Sequence, residues 1–210
     1  MSEKNLLRLL TIGVITLSLV MIAMNFWLLP PGNGRDELEL LQVIDFYHSQ
    51  KRFPELPDDW VDSSWSAHHP PLYFVVMAAL IELGLPEPQS HTYLRNEFAD
   101  QEFTPINGYN RVALVAESNW MKPEGKALTW YVLRVVSVLC NLGAIWAVWQ
   151  GAKLFFGDSW QIGVPVTLAF FALSPQFLQV AVVINNDDFI LLFSALSLWM
   201  LIHTLRRGLS

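Results

Sequence analysis

Residues 6–29, LLRLLTIGVITLSLVMIAMNFWLL, decide the class of protein to which this chain belongs. As an α-helix rising about 1.5 Å per residue, this run is long enough to cross the roughly 30 Å hydrocarbon layer of a bilayer. Lys4 and Arg8 make its start basic, so a cleaved signal peptide is the alternative. The run exceeds a usual signal-peptide core, no small-residue cleavage site follows it, and PPGNG ends it sharply. We therefore expect an uncleaved membrane anchor.

The composition supports a membrane protein with a sizeable part in water. Of the 210 residues, 53% are hydrophobic and 15% are charged, and the mean hydropathy is +0.35. The single cysteine, Cys140, excludes an intrachain disulfide and a thiolate metal site. No two histidines have the HxxxH or HExxH spacing of a metal site. The isoelectric point of about 5.3 gives no reason to expect nucleic acid as a partner.

Three further apolar runs predict three further membrane-spanning helices. They cover residues 128–150, 162–184 and 189–205, and Arg134 and Asn141 interrupt the first of them. The predicted fold class is therefore an all-α membrane protein with about four transmembrane helices and one large, partly helical loop.

The positions of the basic residues predict the orientation of these spans. Cytoplasmic flanks carry an excess of lysine and arginine. If four spans alternate, one side receives Lys4, Arg8, Lys153, Arg206 and Arg207. Both termini are then expected in the cytoplasm of a bacterial-type inner or plasma membrane. The loop 30–127, with 15 Asp and Glu against 7 Lys and Arg, is expected outside it.

The loop 30–127 is too long to lack structure of its own. Residues 36–50, DELELLQVIDFYHSQ, predict a helix, because acidic residues fill the first turn and the apolar residues form a helical stripe. That stripe consists of Leu40, Leu41, Ile44 and Tyr47. Residues 69–85, HPPLYFVVMAALIELGL, predict a second helix, which is short for a span and carries Glu82. We expect it at the membrane interface; a full span is the alternative, and that would undo the orientation count. Residues 87–125 are expected to form a surface loop.

Unusual polar residues cluster where the predicted helices leave the membrane. The acidic pair Asp36 and Glu37 follows the first span, and His68 and His69 precede the interfacial helix. The turn NNDD, residues 185–188, separates the third and fourth spans. Ionisable groups at an apolar boundary are costly and therefore suggest function. Two simpler interpretations stay open: the acidic pair caps a helix, and NNDD is a tight polar turn.

The motifs RDELELLQVIDFYHSQKRFP, HHPPLYF, LTWYVLRVVSVLCNLGAIWAVWQGAKLFF and SPQFLQVAVVINNDDFILLFSALSLWMLI occur in this order along nearly the whole chain. This arrangement resembles the N-terminal half of integral-membrane GT-C glycosyltransferases. That superfamily includes the protein O-mannosyltransferases, the lipid A aminoarabinose transferases and related bacterial proteins of unassigned function. NGYN and the run after it, residues 107–134, look most like the unassigned bacterial branch.

The resemblance implies an activity and roles for individual residues. Such enzymes transfer a sugar from a polyprenyl-phosphate lipid to an acceptor outside the cytoplasm, with an acidic residue of the first outer loop as base. On this sequence the base is Asp36, with Glu37 beside it, and Arg134 is the candidate partner of the carrier phosphate. The other implied contacts to substrate are His68, His69, Tyr73, Asn186, Asp187 and Asp188. The alternative for Arg134 is a side chain that extends to the membrane surface.

The residue types present suit sugar transfer from a phosphate, independently of the family resemblance. Sugar transfer from a phosphate needs a carboxylate to deprotonate the acceptor and cationic help for the leaving phosphate. Arginine suits a phosphate, since its planar fork makes paired hydrogen bonds. Asp36, Asp187 and Asp188 offer oxygen atoms that a hard divalent cation would accept, so such a cofactor is possible.

Two departures from the family shape the alternatives. Leu40 stands where related sequences often carry a histidine, and the family continues with several more spans. We therefore expect either a truncated copy or a partner chain that supplies further transmembrane helices. The competing hypothesis is a non-catalytic membrane subunit that binds a polyprenyl lipid or another membrane protein. A transporter is a weaker third hypothesis, because internal repeats and broken helices are not evident in the sequence.

Overall fold

The computed structural model describes residues 2–29, 31–32, 34, 36–86, 94–95, 113–114, 125–157 and 162–208. The described helices are α1 (Glu3–Leu28), α2 (Glu37–Gln50), α3 (Trp60–Ser63), a 3-10 helix (Trp65–His68), α4 (Leu72–Glu82), α5 (Gly125–Phe156), α6 (Gly163–Ala172), α7 (Pro175–Val180) and α8 (Asp187–Gly208). Strands β1 (Leu94–Arg95) and β2 (Ala113–Leu114) pair antiparallel. Apart from that pair, the surface loop expected over 87–125 lies outside the described residues. The chain is a helical protein in which α1, α5 and α8 are long and apolar enough to cross a membrane.

The chain forms two compact units, and each is discontinuous in sequence. The first unit consists of Met1–Phe26, Val135–Val182 and Asp187–Ser210, and the second of Trp27–Arg134 and Val183–Asn186. Helix α5 therefore contributes its N-terminal turns to the second unit and the rest of its length to the first.

Helix α1 is apolar along its length and largely exposed, as a helix facing lipid would be. Two polar side chains attach it to the helices α6 and α7 within the first unit. Ser18 Oγ donates to the carbonyl of Ala172 at 2.9 Å, and Asn25 Nδ2 donates to the carbonyl of Leu178 at 3.4 Å. The contacted carbonyls lie at or near the ends of α6 and α7, where helices leave backbone acceptors unsatisfied.

Small residues let α5 and α8 approach closely in the first unit. Gly143, Ala147 and Gly151 recur every four residues along one face of α5. A Cβ added at Gly143 would lie 2.9 Å from the Leu192 side chain, and one added at Gly151 would lie 3.8 Å from the backbone of Trp199. Such stripes bring helix backbones together where the hydrophobic effect gives no driving force.

The segment 162–184, predicted as one helix, is two short ones. Helix α6 ends at Ala172, and α7 begins at Pro175 with Ser174 as its N-cap, whose Oγ accepts from the Phe177 amide at 3.2 Å. A proline in the first turn and a capping serine before it begin a helix anew, because proline has no N–H for the preceding turn. Neither piece alone is long enough to span a bilayer.

The second unit is organised around α2 and α4. The predicted stripe of α2 is confirmed, since Leu40, Leu41, Ile44 and Tyr47 are all buried. They pack with the buried face of α4, and the Tyr47 ring stacks on the Phe74 ring with centroids 6.1 Å apart. This core fixes the start of α2 relative to the start of α4, which are two of the places where predicted site residues lie.

Candidate functional site

A buried ion pair between Glu37 and Arg134 lies at the centre of the second unit. Arg134 Nε donates to Glu37 Oε1 and Nη2 donates to Oε2, each at 2.7 Å, in the paired geometry that guanidinium and carboxylate prefer. The third guanidinium nitrogen, Nη1, donates to the carbonyl of Leu29 at 2.6 Å. Both side chains are 0% exposed. A pair of charges this deep is stable only when further hydrogen bonds complete it.

Three backbone amides provide that completion for Glu37. The N–H groups of Gly32 and Gly34 donate to Oε2 at 3.0 and 3.1 Å, and the N–H of Ile184 donates to Oε1 at 3.1 Å. Together with the two bonds from Arg134, the carboxylate accepts five hydrogen bonds. Its acceptor capacity is filled, so Glu37 holds structure together and is not available as a base.

Two glycines are needed to bring the backbone so close to this carboxylate. Gly32 has a φ of 81°, in the region that favours glycine. At Gly34 an added Cβ would lie 2.5 Å from Val183 Cγ1 and 2.9 Å from Glu37 Oε2. In the sequence PPGNG, which looked only like the end of a span, Gly32 and Gly34 therefore supply backbone donors to the Glu37 carboxylate.

Asp36 differs from the neighbouring Glu37 in its exposure and in its backbone conformation. It is exposed, and its φ of 58° and ψ of 3° are left-handed, a conformation that Asp and Asn adopt more readily than most residues. Although it occupies the N-cap position of α2, its side chain makes no capping hydrogen bond. The helix-cap interpretation therefore fails for Asp36, and its carboxylate is presented at the surface of the unit.

The HPPLY and NND motifs meet through one hydrogen bond. His69 Nδ1 and Asn186 Nδ2 lie 2.9 Å apart, which makes the ring nitrogen the acceptor of an amide N–H. His69 is half-buried and Asn186 is buried. His68 is exposed, with its ring centroid 4.4 Å from that of His69. Tyr73, in contrast, is buried in the α4 core at 2% exposure.

The two aspartates of NNDD belong to the first unit and differ from each other. Asp187 is exposed, whereas Asp188 is completely buried. Asn141 Nδ2 donates to Asp188 Oδ1 at 2.6 Å and also to the carbonyl of Ser137 at 2.8 Å. The NNDD stretch is thus more than a turn, because it begins α8 and carries a buried contact to α5.

Several predicted site residues have other surroundings than the sequence suggested. Arg134 does not extend to the membrane surface, since its side chain is wholly buried, and its guanidinium bonds to Glu37. Glu37, predicted beside the catalytic base, is the buried partner of that arginine. Among the described residues, no three His, Cys, Asp or Glu side chains lie together as a metal site would require.

Sequence reasoning missed Gly32, Gly34 and Asn141 as parts of buried polar clusters. Asn141 could have been predicted as part of a polar cluster, because an amide inside an apolar span needs a hydrogen-bond partner. The two glycines could have been noticed as well, because they form a closely spaced pair directly after the first span.

A comparison of the chain with models of known protein families, with curated proteins and with solved structures finds no match. What the protein does is therefore inferred from its own motifs and contacts.

Proposed function

We propose that this chain is a membrane glycosyltransferase of the GT-C type, or the N-terminal module of one. It transfers a sugar from a polyprenyl-phosphate donor to an acceptor at the extracytoplasmic face. One observation carries the proposal: the stretches that hold the acidic pair, HPPLY and NND meet within the second unit. Glu37 bonds to the amide of Ile184, and His69 bonds to Asn186. Residues this far apart in sequence meet only if the fold brings them together.

Asp36 is the base in this proposal. The acceptor O–H approaches the exposed carboxylate, which takes its proton while the acceptor oxygen forms a bond to the anomeric carbon of the sugar. The bond between that carbon and the phosphate oxygen breaks, and the carrier phosphate leaves with the electron pair. A left-handed backbone conformation costs energy in any residue other than glycine. Residues held in this conformation are often found at functional sites.

The pair of Glu37 and Arg134 has a positioning role. Five hydrogen bonds to the Glu37 carboxylate fix the first turn of α2, so the neighbouring Asp36 is held at a defined place. His69 and Asn186 form the part of the site that contacts acceptor or donor. A site prepared in this way loses little entropy when it binds substrate.

Four membrane crossings complete the proposal. Three crossings would place Arg206 and Arg207 on the opposite side from Lys4 and Arg8, against the distribution of basic residues expected for cytoplasmic flanks. The fourth crossing is the broken segment α6–α7, with Ser174 at its break. Broken helices are tolerated inside a membrane where neighbouring helices satisfy their backbone groups, as Ser18 does for Ala172.

The test uses the full chain in nanodiscs with a polyprenyl-phosphate mannose as donor and total membrane lipid as acceptor source. Release of free carrier phosphate is expected from the wild type, and Asp36→Asn is expected to lower the rate about a hundredfold or more. Asparagine keeps the left-handed backbone and removes only the charge. Asp62→Asn, at another exposed site of the second unit, is the control and should keep full activity. Equal rates for Asp36→Asn and wild type would remove Asp36 as the base.

A second candidate function is a non-catalytic subunit that binds a polyprenyl lipid or a partner chain with further transmembrane helices. The pairing of Arg134 with Glu37 favours it, since the guanidinium is committed to a carboxylate rather than to a departing phosphate. Donor that binds with equal affinity to wild type and Asp36→Asn, without any release of carrier phosphate, would support this candidate over the enzyme.

A further inference from the structure

Asp188 is buried in a way that an ionised carboxylate does not tolerate. It lies in the first turn of α8, is 0% exposed, and belongs to a helix long enough to span the membrane. Its Oδ1 accepts from Asn141 Nδ2, but its Oδ2 has no hydrogen-bond partner among the residues that the structure describes. A buried carboxylate with a bare oxygen lacks most of the solvation that water gave it.

Asn141 has the complementary deficiency. Its Nδ2 donates to both Asp188 and Ser137, whereas its Oδ1 is also buried and meets no donor in the described part of the chain. Two buried oxygens therefore lack donors, one on each side of the same contact. Buried polar atoms in folded proteins nearly always have a hydrogen-bond partner. Two buried oxygens without a donor in the same contact therefore indicate a proton between them.

We propose that Asp188 is a protonated, neutral carboxylic acid that forms a two-bond acid–amide pair with Asn141 and joins α8 to α5. The proton on Oδ2 is donated to Asn141 Oδ1, while Asn141 Nδ2 donates to Oδ1 of the acid. One proton thus satisfies both orphan atoms and removes the buried charge. The pair is a proton-binding site within the first unit, and it does not depend on the proposed sugar transfer.

The groups around the pair include one further hydroxyl donor and one like charge. The Ser137 side chain lies within hydrogen-bonding range of the carboxyl group, and Asp187 follows on the same helix as a like charge. The buried thiol of Cys140, on α5, is the other titratable neighbour. The N-terminus of α8 favours an anion, yet no backbone N–H of the described residues reaches Oδ2. Within the described ranges, no lysine or arginine is among the neighbours that act on this carboxyl group.

Infrared difference spectroscopy of the full chain in nanodiscs tests the proposal. The spectrum of wild type minus Asp188→Asn is expected to contain the carbonyl band of a protonated acid at neutral pH. Asp187→Asn, one residue earlier and exposed, is the matched control and should leave that band in place. Asn141→Ala should move the band to higher frequency, because the acid then loses its hydrogen-bond acceptor.

A difference spectrum that contains only ionised carboxylate bands would overturn the proposal. If those bands changed with sodium concentration, the two oxygens would belong to a cation site instead. Should Asp188→Asn fail to fold, wild type labelled with ¹³C at the aspartate carboxyl carbon replaces it. The labelled protein must then show a protonated aspartate band at neutral pH that moves in Asn141→Ala, and its absence would equally refute the acid–amide pair.

Discussion

Glu37 in the second unit and Asp188 in the first are both 0% exposed, yet their carboxyl groups are treated in opposite ways. Glu37 accepts five hydrogen bonds, two of them from a guanidinium. Asp188 accepts from Asn141 and has the Ser137 side chain within hydrogen-bonding range, but its Oδ2 has no partner among the described residues. Burial alone therefore does not decide the charge of an acid. The number and charge of the donors around it do.

The difference follows from what each part of the chain can supply. Near Glu37 the backbone turns twice, at Gly32 and Gly34, and so directs free amide groups inward. Asp188 lies in the first turn of α8, where backbone amides are free of intrahelical partners, yet none of the described residues donates to its Oδ2. Backbone amides thus complete the carboxylate of Glu37, whereas the donor to Asp188 Oδ1 is the side chain of Asn141.

The largest effect is expected from the same acid-to-amide change at the two sites. Glu37→Gln removes the negative charge beside Arg134 while the guanidinium stays buried, and we expect a loss of about 3–5 kcal/mol in the free energy of unfolding. Asp188→Asn replaces a neutral acid by a neutral amide of the same shape, and we expect a loss within about 1 kcal/mol. Chemical unfolding in mixed micelles measures both. Similar losses for the two variants would contradict the inference that Glu37 is charged and Asp188 is neutral.

A smaller effect is expected where the backbone surrounds Glu37. Gly34→Ala places a methyl group 2.5 Å from Val183 Cγ1, and we expect a loss of about 1–3 kcal/mol. Val183→Ala in the same chain should recover part of that loss, because it removes Cγ1, the nearest atom, although Val183 Cβ at 2.8 Å remains. Gly13→Ala is the matched control, since nothing lies within 4 Å of its added Cβ. Unfolding midpoints measure all three variants, and a double variant no better than Gly34→Ala would mean that the clash is elsewhere.

The smallest effect concerns a third carboxylate, Asp59, which lies outside the spanning helices. Hydrogen bonds from Arg52 and from the Glu55 amide lower its pKa to about 2, from an ordinary 3.8. Because the folded state holds the proton less tightly than the unfolded state, this contact stabilises the protein above about pH 4 and the stabilisation is lost as the pH falls toward 2.

The acid unfolding profile of Asp59→Asn should accordingly be flatter than that of wild type between about pH 4 and 2. The unfolding midpoint, followed by tryptophan fluorescence at each pH, measures the difference. Glu55→Gln keeps its backbone amide and serves as the control with an unchanged profile. Parallel profiles for wild type and Asp59→Asn would show that the Arg52 contact does not form in solution.

Much of the fold could be predicted from local patterns. The apolar length of α1, α5 and α8 and the stripe of α2 are periodic signals that act within one helix. The break at Ser174 and Pro175 was overlooked, although a capping serine before a proline is a helix start even inside an apolar run. Hydropathy averaged over the segment concealed it.

The site was harder, because its defining contacts are remote in sequence. Glu37 and Arg134 are 97 residues apart, and nothing local to either tells which acid an arginine will meet. The order of the motifs in the sequence pointed to the segments that hold Glu37, His69 and Asn186, which contact one another in the fold or contact neighbouring residues. Each acidic side chain can be a base, the partner of a cation or a neutral acid. Which of these it is depends on the N–H and O–H groups that the folded chain places around it.

The bond between Glu37 and Ile184 also orders the events of synthesis. The two residues are 147 positions apart, and Val183–Asn186 are the last part of the second unit to leave the ribosome. The second unit cannot complete its contacts until Val183–Asn186 have been translated, because the Ile184 amide is one of the donors to the Glu37 carboxylate. Nascent chains stopped before Val183 would therefore expose an unfinished second unit to proteases, and the full chain would not.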